Sequence, residues 1–203
     1  SILSLEVMPN KTILTGHNDS AIRLWNLENG NIVNQIKSTG TFSINTIELI
    51  DNKLLASEWF GFSIVIWNLT NGFHIRTLTG HLGAITCLDS AFDGTLLVSG
   101  SKDLTIQVWN LSSLNNLIGI SFQSFVIDLK ILRNRKTVVS LSNGVISIID
   151  LERNVIERNI NEDSKIKYLS LTNQYHTFAS VSSDMNLKIW NSTNGNLLNG
   201  INL

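Results

Sequence analysis

One short segment recurs five times at nearly constant spacing, and that period limits what the chain can fold into. Ala21-Ile22-Arg23-Leu24-Trp25-Asn26-Leu27, Ser63-Ile64-Val65-Ile66-Trp67-Asn68-Leu69 and Thr105-Ile106-Gln107-Val108-Trp109-Asn110-Leu111 are the clearest copies. Val145-Ile146-Ser147-Ile148-Ile149-Asp150-Leu151 and Asn186-Leu187-Lys188-Ile189-Trp190-Asn191 complete the set. Trp25, Trp67, Trp109, Ile149 and Trp190 lie 42, 42, 40 and 41 residues apart. A fixed period of this length with matching flanks is the mark of a repeat architecture.

Each unit resolves into four short strands. In the third copy these are expected at 84–90, 95–100, 105–110 and 117–120, separated by Asp93-Gly94, Lys102-Asp103 and residues 112–116. Asn-Gly pairs follow the tryptophan strand at Asn29-Gly30, Asn71-Gly72 and Asn194-Gly195. Asn-Gly tolerates the positive φ of a tight hairpin turn. The Val, Ile and Leu runs lack clean alternation, as expected of sheets covered on both faces. Pro9, the single proline, falls in a turn, where it costs no ladder hydrogen bond. A four-stranded unit of this size cannot bury both faces alone, and radial stacking solves that problem.

These residues resemble the WD-repeat β-propeller family. Copy three carries the pattern best, with Gly80-His81, Ser99-Gly100-Ser101-Lys102-Asp103 and Trp109-Asn110. The resemblance spans the chain and implies an all-β propeller of four-stranded antiparallel blades. Five blades are visible, at approximately 1–40, 41–81, 82–121, 122–162 and 163–203. The expectation is one propeller domain, an excerpt of a longer, seven-bladed type; a closed ring of five is the alternative. The resemblance also implies a buried hydrogen-bonded set of His81, Ser99, Asp103 and Trp109. Copy five has Ser180, Asp184 and Trp190 without the histidine. Copy one has Asp19 and Trp25, copy two has Gly61 in place of the Asp, and copy four has Asn143 and Ile149. Gly16-His17 is out of register, because it aligns with Gly100-Ser101.

Composition narrows the function classes. Fifteen Lys and Arg against sixteen Asp and Glu give a net charge of −1, so bulk charge disfavours nucleic acid as a partner. No run of about 18 apolar residues suggests a membrane span. One cysteine, Cys87, fits a reducing compartment, cytoplasmic or nuclear. His17, His74, His81 and His176 are scattered without metal-ligand spacing, and neither a phosphate loop nor a nucleophile elbow occurs. No cofactor, metal or catalytic residue is expected. Asn-x-Ser/Thr at Asn10, Asn18, Asn68, Asn110 and Asn191 is read as unmodified. The densest basic cluster, at 133–136, reads as a soluble turn.

Binding is therefore the expected role. In the resembled family, the turns between the second and third strands and between blades form the usual partner face. Here those turns offer Asn18, Asp19, Trp59, Phe60, Phe62, Lys102, Phe125 and Lys165. Aromatic residues on a rigid turn are typical interface anchors. The inward alternative, with Trp59 and Phe62 folded between blades, stays open. The expectation is a non-enzymatic scaffold that presents this face to a protein or peptide within a larger chain or complex. The alternative is a five-bladed enzyme or sugar-binding protein. It would use Glu6, Glu48 and Asp89, which align late in the first strand beside Lys130 and Ser170 of the later copies.

Overall fold

The computed structural model describes residues 1–9, 11–37, 42–51, 53–59, 62–173 and 176–202. Every regular element among them is a strand. Blade one is β1 (Ile2–Met8), β2 (Thr12–His17), β3 (Ala21–Asn26) and β4 (Ile32–Lys37). Blade two is β5 (Ile47–Leu49), β6 (Leu54–Trp59), β7 (Ser63–Asn68) and β8 (His74–Leu78). Blade three is β9 (Ile85–Ser90), β10 (Leu96–Ser101), β11 (Thr105–Asn110) and β12 (Asn115–Ser121). Blade four is β13 (Val126–Ile131), β14 (Lys136–Leu141), β15 (Val145–Asp150) and β16 (Val155–Asn161). Blade five is β17 (Ile166–Leu171), β18 (Thr177–Ser182), β19 (Asn186–Asn191) and β20 (Leu197–Asn202). Each blade is an antiparallel meander in sequence order, and the first strands pack against one another in the order β1, β5, β9, β13, β17.

The expected strands of copy three fall within about two residues of β9 to β12. The recurrent Trp-Asn pair now has a local cause. Asn26, Asn68, Asn110, Asp150 and Asn191 each use a side-chain oxygen to accept the N–H groups two and three residues on, closing the hairpin turn. The Asn-Gly glycines Gly30, Gly72 and Gly195 sit at φ of 71°, 73° and 75°. A register shift recurs at the third-to-fourth strand pairing of all five blades, beside Trp25, Trp67, Trp109, Ile149 and Trp190. It tracks the hairpin geometry, since Ile149 keeps it without the indole.

The apolar core lies between blades. One cluster joins Leu14, Ile22 and Leu24 of blade one to Ile47, Leu55 and Trp67 of blade two. The next joins Ala56, Ile64 and Ile66 to Leu88, Leu97 and Trp109. A third joins Val98, Ile106 and Val108 to Leu129, Val139 and Ile149. The fourth joins Val138, Ile146 and Ile148 to Leu169, Phe178 and Trp190. Each blade thus has a leading face toward its predecessor and a trailing face toward its successor. Burying one such Leu or Ile stabilises by about 1.5–3 kcal/mol.

The meander fixes the ends of the arc. Turns from second to third strand and connections from fourth strand to the next blade share one end, the top. The remaining turns share the bottom. Leu97→Ala, which opens a cavity between blades two and three, is expected to cost about 2–5 kcal/mol in urea denaturation. Leu117→Ala, on the solvent-exposed rim strand β12, should change stability by less than about 0.5 kcal/mol.

Candidate functional site

Blade three builds the most complete tether of the top face. His81, in the connection between β8 and β9, places Nδ1 2.8 Å from Asp103 Oδ2 and Nε2 2.7 Å from Ser99 Oγ. Trp109 Nε1 donates to the same hydroxyl at 2.9 Å. Asp103 also accepts the Leu82 N–H at 2.8 Å and both the N–H and hydroxyl of Thr105. The ring is thus held at both nitrogens, by the carboxylate at Nδ1 and by the Ser99 hydroxyl at Nε2. Burial pushes the His81 pKa down, against the opposing pull of Asp103. Burial disfavours the ionised Asp103, but hydrogen bonds from Thr105, Leu82 and His81 outweigh it and hold the carboxyl below its usual range. The bond to the Leu82 N–H ties the connection between blades two and three to the turn after β10.

The other blades solve the same problem with different residues. In blade one, Trp25 Nε1 donates to Thr15 Oγ1 at 2.6 Å, and His17 Nε2 lies 2.8 Å from that oxygen. His17 holds the register of Ser101, as the sequence places it, yet its ring reaches the position that His81 fills from a different loop. Asp19, the counterpart of Asp103, instead pairs with Arg23 at 2.5 Å, and that bond lowers its pKa to about 2. In blade two, Trp67 donates to Ser57 at 2.8 Å, and the Trp59 ring packs against the Trp67 ring at 5.4 Å between centroids. Blade five has Trp190 donating to Ser180 at 2.9 Å. There Glu162, near the expected histidine position, pairs with Lys188 at 2.5 Å, and the ammonium lies 5.8 Å from the Trp190 ring centre. Blade four lacks the indole, and Ser147 donates to Asn159 at 2.8 Å.

Along the channel, carboxylates bridge successive blades. Glu48 Oε1 accepts from the Ser90 N–H at 3.0 Å and its hydroxyl at 2.7 Å. Asp89 accepts from the Ile131 N–H at 2.6 Å and from Lys130 Nζ at 2.8 Å. Asp128, which sequence reasoning did not single out, accepts from the Leu169 N–H at 2.7 Å. These bonds recur at separations of 41 or 42 residues. Their signal was the repeat period itself, with a carboxylate one unit before the N–H that donates to it. Burial, reinforced by the charge of Asp89, pushes the Glu48 pKa up to about 8. Burial likewise raises Glu6, with Lys130 opposing and Asp89 adding to the shift.

The top face carries the sequence-predicted binding residues, and they fall into distinct environments. Phe62, at φ 62° in the turn after β6, is 45% exposed, and Phe125 is 48% exposed. Lys102 and Lys165 are exposed, as are Asn18 and Asp19. Asn18 Oδ1 accepts from the Ser1 amino group at 2.8 Å. Trp59 is half-buried on Trp67. Phe60 lies outside the described residues. Leu82, not singled out by the sequence reading, is the most exposed large apolar residue among the described residues, at 86%. Its signal was a large aliphatic residue directly after the tether histidine, in a turn. At the bottom, the Arg133 guanidinium lies 5.0 Å from the Phe92 ring centre, and Arg135 and Lys136 pair with Asp93 and Glu157.

The fold and the tether define a β-propeller of stacked meanders. The family model "WD domain, G-beta repeat" matches residues 72–110, the stretch holding the blade-three tether. Rat apoptotic protease-activating factor 1 is 27% identical over 112 residues, 55% of this chain and 9% of that protein. The WD repeat-containing protein 55 homolog of Dictyostelium discoideum is 26% identical over 184 residues, 88% of this chain and 44% of that protein. The chain thus spans less than half the length of either curated relative. Solved structures of U3-55K and of the RRP9 WD40 repeats superimpose on the whole chain, each with a TM-score of 0.91. They are 23% and 22% identical, and the chain covers 64% and 63% of them. The chain has the β-propeller fold, and its residues 72–110 are similar to the WD repeat.

Two outcomes follow. Ser99→Ala removes the partner of both Trp109 Nε1 and His81 Nε2 and should cost more than Ser180→Ala, which strands Trp190 Nε1 alone. Each orphaned group is worth about 1–3 kcal/mol, read by urea denaturation. Glu48 has a folded pKa above its ordinary value, so its ionisation opposes the fold. Stability should fall as pH rises from about 4.5 through about 8. Asp89, Glu6, Lys130 and Ser90 surround it. The measured slope between pH 6 and 9 should flatten in Glu48→Gln.

Proposed function

We propose that this chain is a non-enzymatic protein-interaction scaffold whose top face presents preformed apolar anchors to a protein or peptide partner. The observation that carries this reading is the set of exposed large side chains on top connections, Phe62, Leu82 and Phe125. The Leu82 N–H is fixed by Asp103, which lowers the ordering cost of that anchor on binding. The WD-repeat similarity supports a protein-interaction role at the level of the family, which is in general non-enzymatic. Lys102 and Lys165 flank the anchors and suit acidic groups on the partner, although Glu58 lies near Lys102. An intracellular setting, cytoplasmic or nuclear, belongs to the same proposal.

The alternative built on Glu6, Glu48 and Asp89 is the less favoured reading, although Glu48 and Asp89 line a channel cavity of about 960 Å³. Glu48 and Asp89 use oxygens on bonds to the next blade. A paired-carboxylate mechanism needs those oxygens facing a substrate.

Affinity capture from cell extract, quantified by mass spectrometry, tests the reading. Phe62→Ala combined with Leu82→Ala should lower recovery of specific partners at least about tenfold, as expected for two anchors of about 1–2 kcal/mol each. Trp59→Ala should instead lower the melting temperature. Unchanged capture by the folded double variant contradicts the top-face placement.

A further inference from the structure

The bottom end of the channel holds a polar cavity that neither the tethers nor the top face uses. Its volume is about 960 Å³, and its lining comes from blades two to five. The late first strands supply the inner part, with Glu48, Asp89 and Lys130. The bottom turns supply the mouth, with Phe92, Arg133 and His176. Carboxylates thus stand inside, and a guanidinium and an imidazole stand at the opening.

The bridging carboxylates are not equally occupied. Asp89 accepts at both oxygens, from Lys130 Nζ and the Ile131 N–H. Asp128 also accepts at both, from the Leu129 and Leu169 N–H groups. Glu48 takes both of its bonds on Oε1, from the N–H and the hydroxyl of Ser90. Its Oε2 has no hydrogen-bond partner among the described residues, although Glu48 is only 8% exposed and lines the cavity. A carboxylate oxygen so deeply placed is costly unless a donor meets it. The nearby Glu6 and Asp89 are themselves acidic, and Lys130 is drawn to Asp89. The group that fits Oε2 is therefore a cation carried by a ligand.

At the mouth, the exposed Arg133 guanidinium lies 5.0 Å from the ring centre of the exposed Phe92. The ring orients the guanidinium, whose planar donors match a carboxylate. Asn134, Asn173 and Ser170 also line the cavity, and their amides and hydroxyl can serve both the N–H and the C=O of peptide groups. A cavity of this size falls in the range that takes ligands larger than a single amino acid.

We propose that this cavity binds a short peptide with free ends, its N-terminal ammonium on Glu48 Oε2 and its C-terminal carboxylate on Arg133. The site lies at the opposite end of the channel from the top-face anchors and does not rest on the scaffold reading. It also differs from a paired-carboxylate centre, because one open oxygen holds a cation without supplying the second carboxylate that hydrolysis needs.

Isothermal titration calorimetry with tri-alanine tests this, beside N-acetylated tri-alanine, C-amidated tri-alanine and a neutral disaccharide. Tri-alanine should bind one to one, and blocking either end should weaken binding at least about tenfold, as expected for one charge-assisted bond. Glu48→Gln should bind the free and acetylated peptides alike. Arg133→Ala should bind the free and amidated peptides alike. Phe62→Ala combined with Leu82→Ala should leave tri-alanine binding unchanged, which separates this site from the top face. Burial and the charge of Asp89 hold Glu48 largely protonated at neutral pH, with Glu6, Ser90 and Lys130 also around it. Peptide binding should therefore release a proton, and Glu48→Gln should abolish that release. The blocked peptides keep the test decisive on the native chain if a variant fails to fold. Equal binding of free and blocked peptides, or no binding at millimolar concentration, overturns the proposal. Binding of the disaccharide without binding of tri-alanine overturns it in favour of a sugar site.

Discussion

A blade of this protein has no interior of its own. Its sheet is one layer thick, and each apolar cluster is assembled from the trailing face of one blade and the leading face of the next. Everything else follows from that dependence. Strand order, channel and loop placement are set once neighbouring faces are brought into contact. The backbone approaches closely enough that a side chain at Gly100 would collide with Val126 of the next blade.

Polar groups then fix what apolar packing leaves adjustable. Near the channel, Glu48, Asp89 and Asp128 set the register between successive blades. Toward the top, hydroxyls at Thr15, Ser57, Ser99 and Ser180 each accept an indole N–H, and different partners complete each set. A histidine from the strand in blade one and a Glu–Lys pair in blade five occupy the neighbourhood that His81 fills in blade three. The common requirement is that a buried polar atom be satisfied, and several residue combinations meet it. The rigid arc this creates holds Phe62, Leu82 and Phe125 outward.

The fold was legible because the period of 40–42 residues survives wherever individual family residues are lost. Ile149 keeps its strand, its register shift and its turn cap without an indole. The tether in blade three was legible through the family resemblance, since the four residues stand at the spacing that resemblance requires. The substitute tethers were less so. His17 reads as out of register, and only the path of its side chain from β2 brings it to Thr15. Trp59 reads equally as an exposed anchor or an inward ring, because a turn sequence does not encode the empty volume beside Trp67 that it fills. Leu82 was not legible as an anchor, because an aliphatic residue in a sequence this rich in Leu and Ile reads equally as core. The carboxylates aligned in the sequence, but alignment alone could not tell a channel ligand site from bonds between blades.

Hydrogen exchange of the free chain, resolved by strand, tests the central claim that stability resides between blades. Strands β9 to β11 and β13 to β15, covered on both faces, should exchange slowest. Strands β1 to β3 and β17 to β19, covered on one face, should exchange markedly faster. Equal protection in all five blades, or slowest exchange in blade one or five, would contradict an account in which each blade depends on its neighbours.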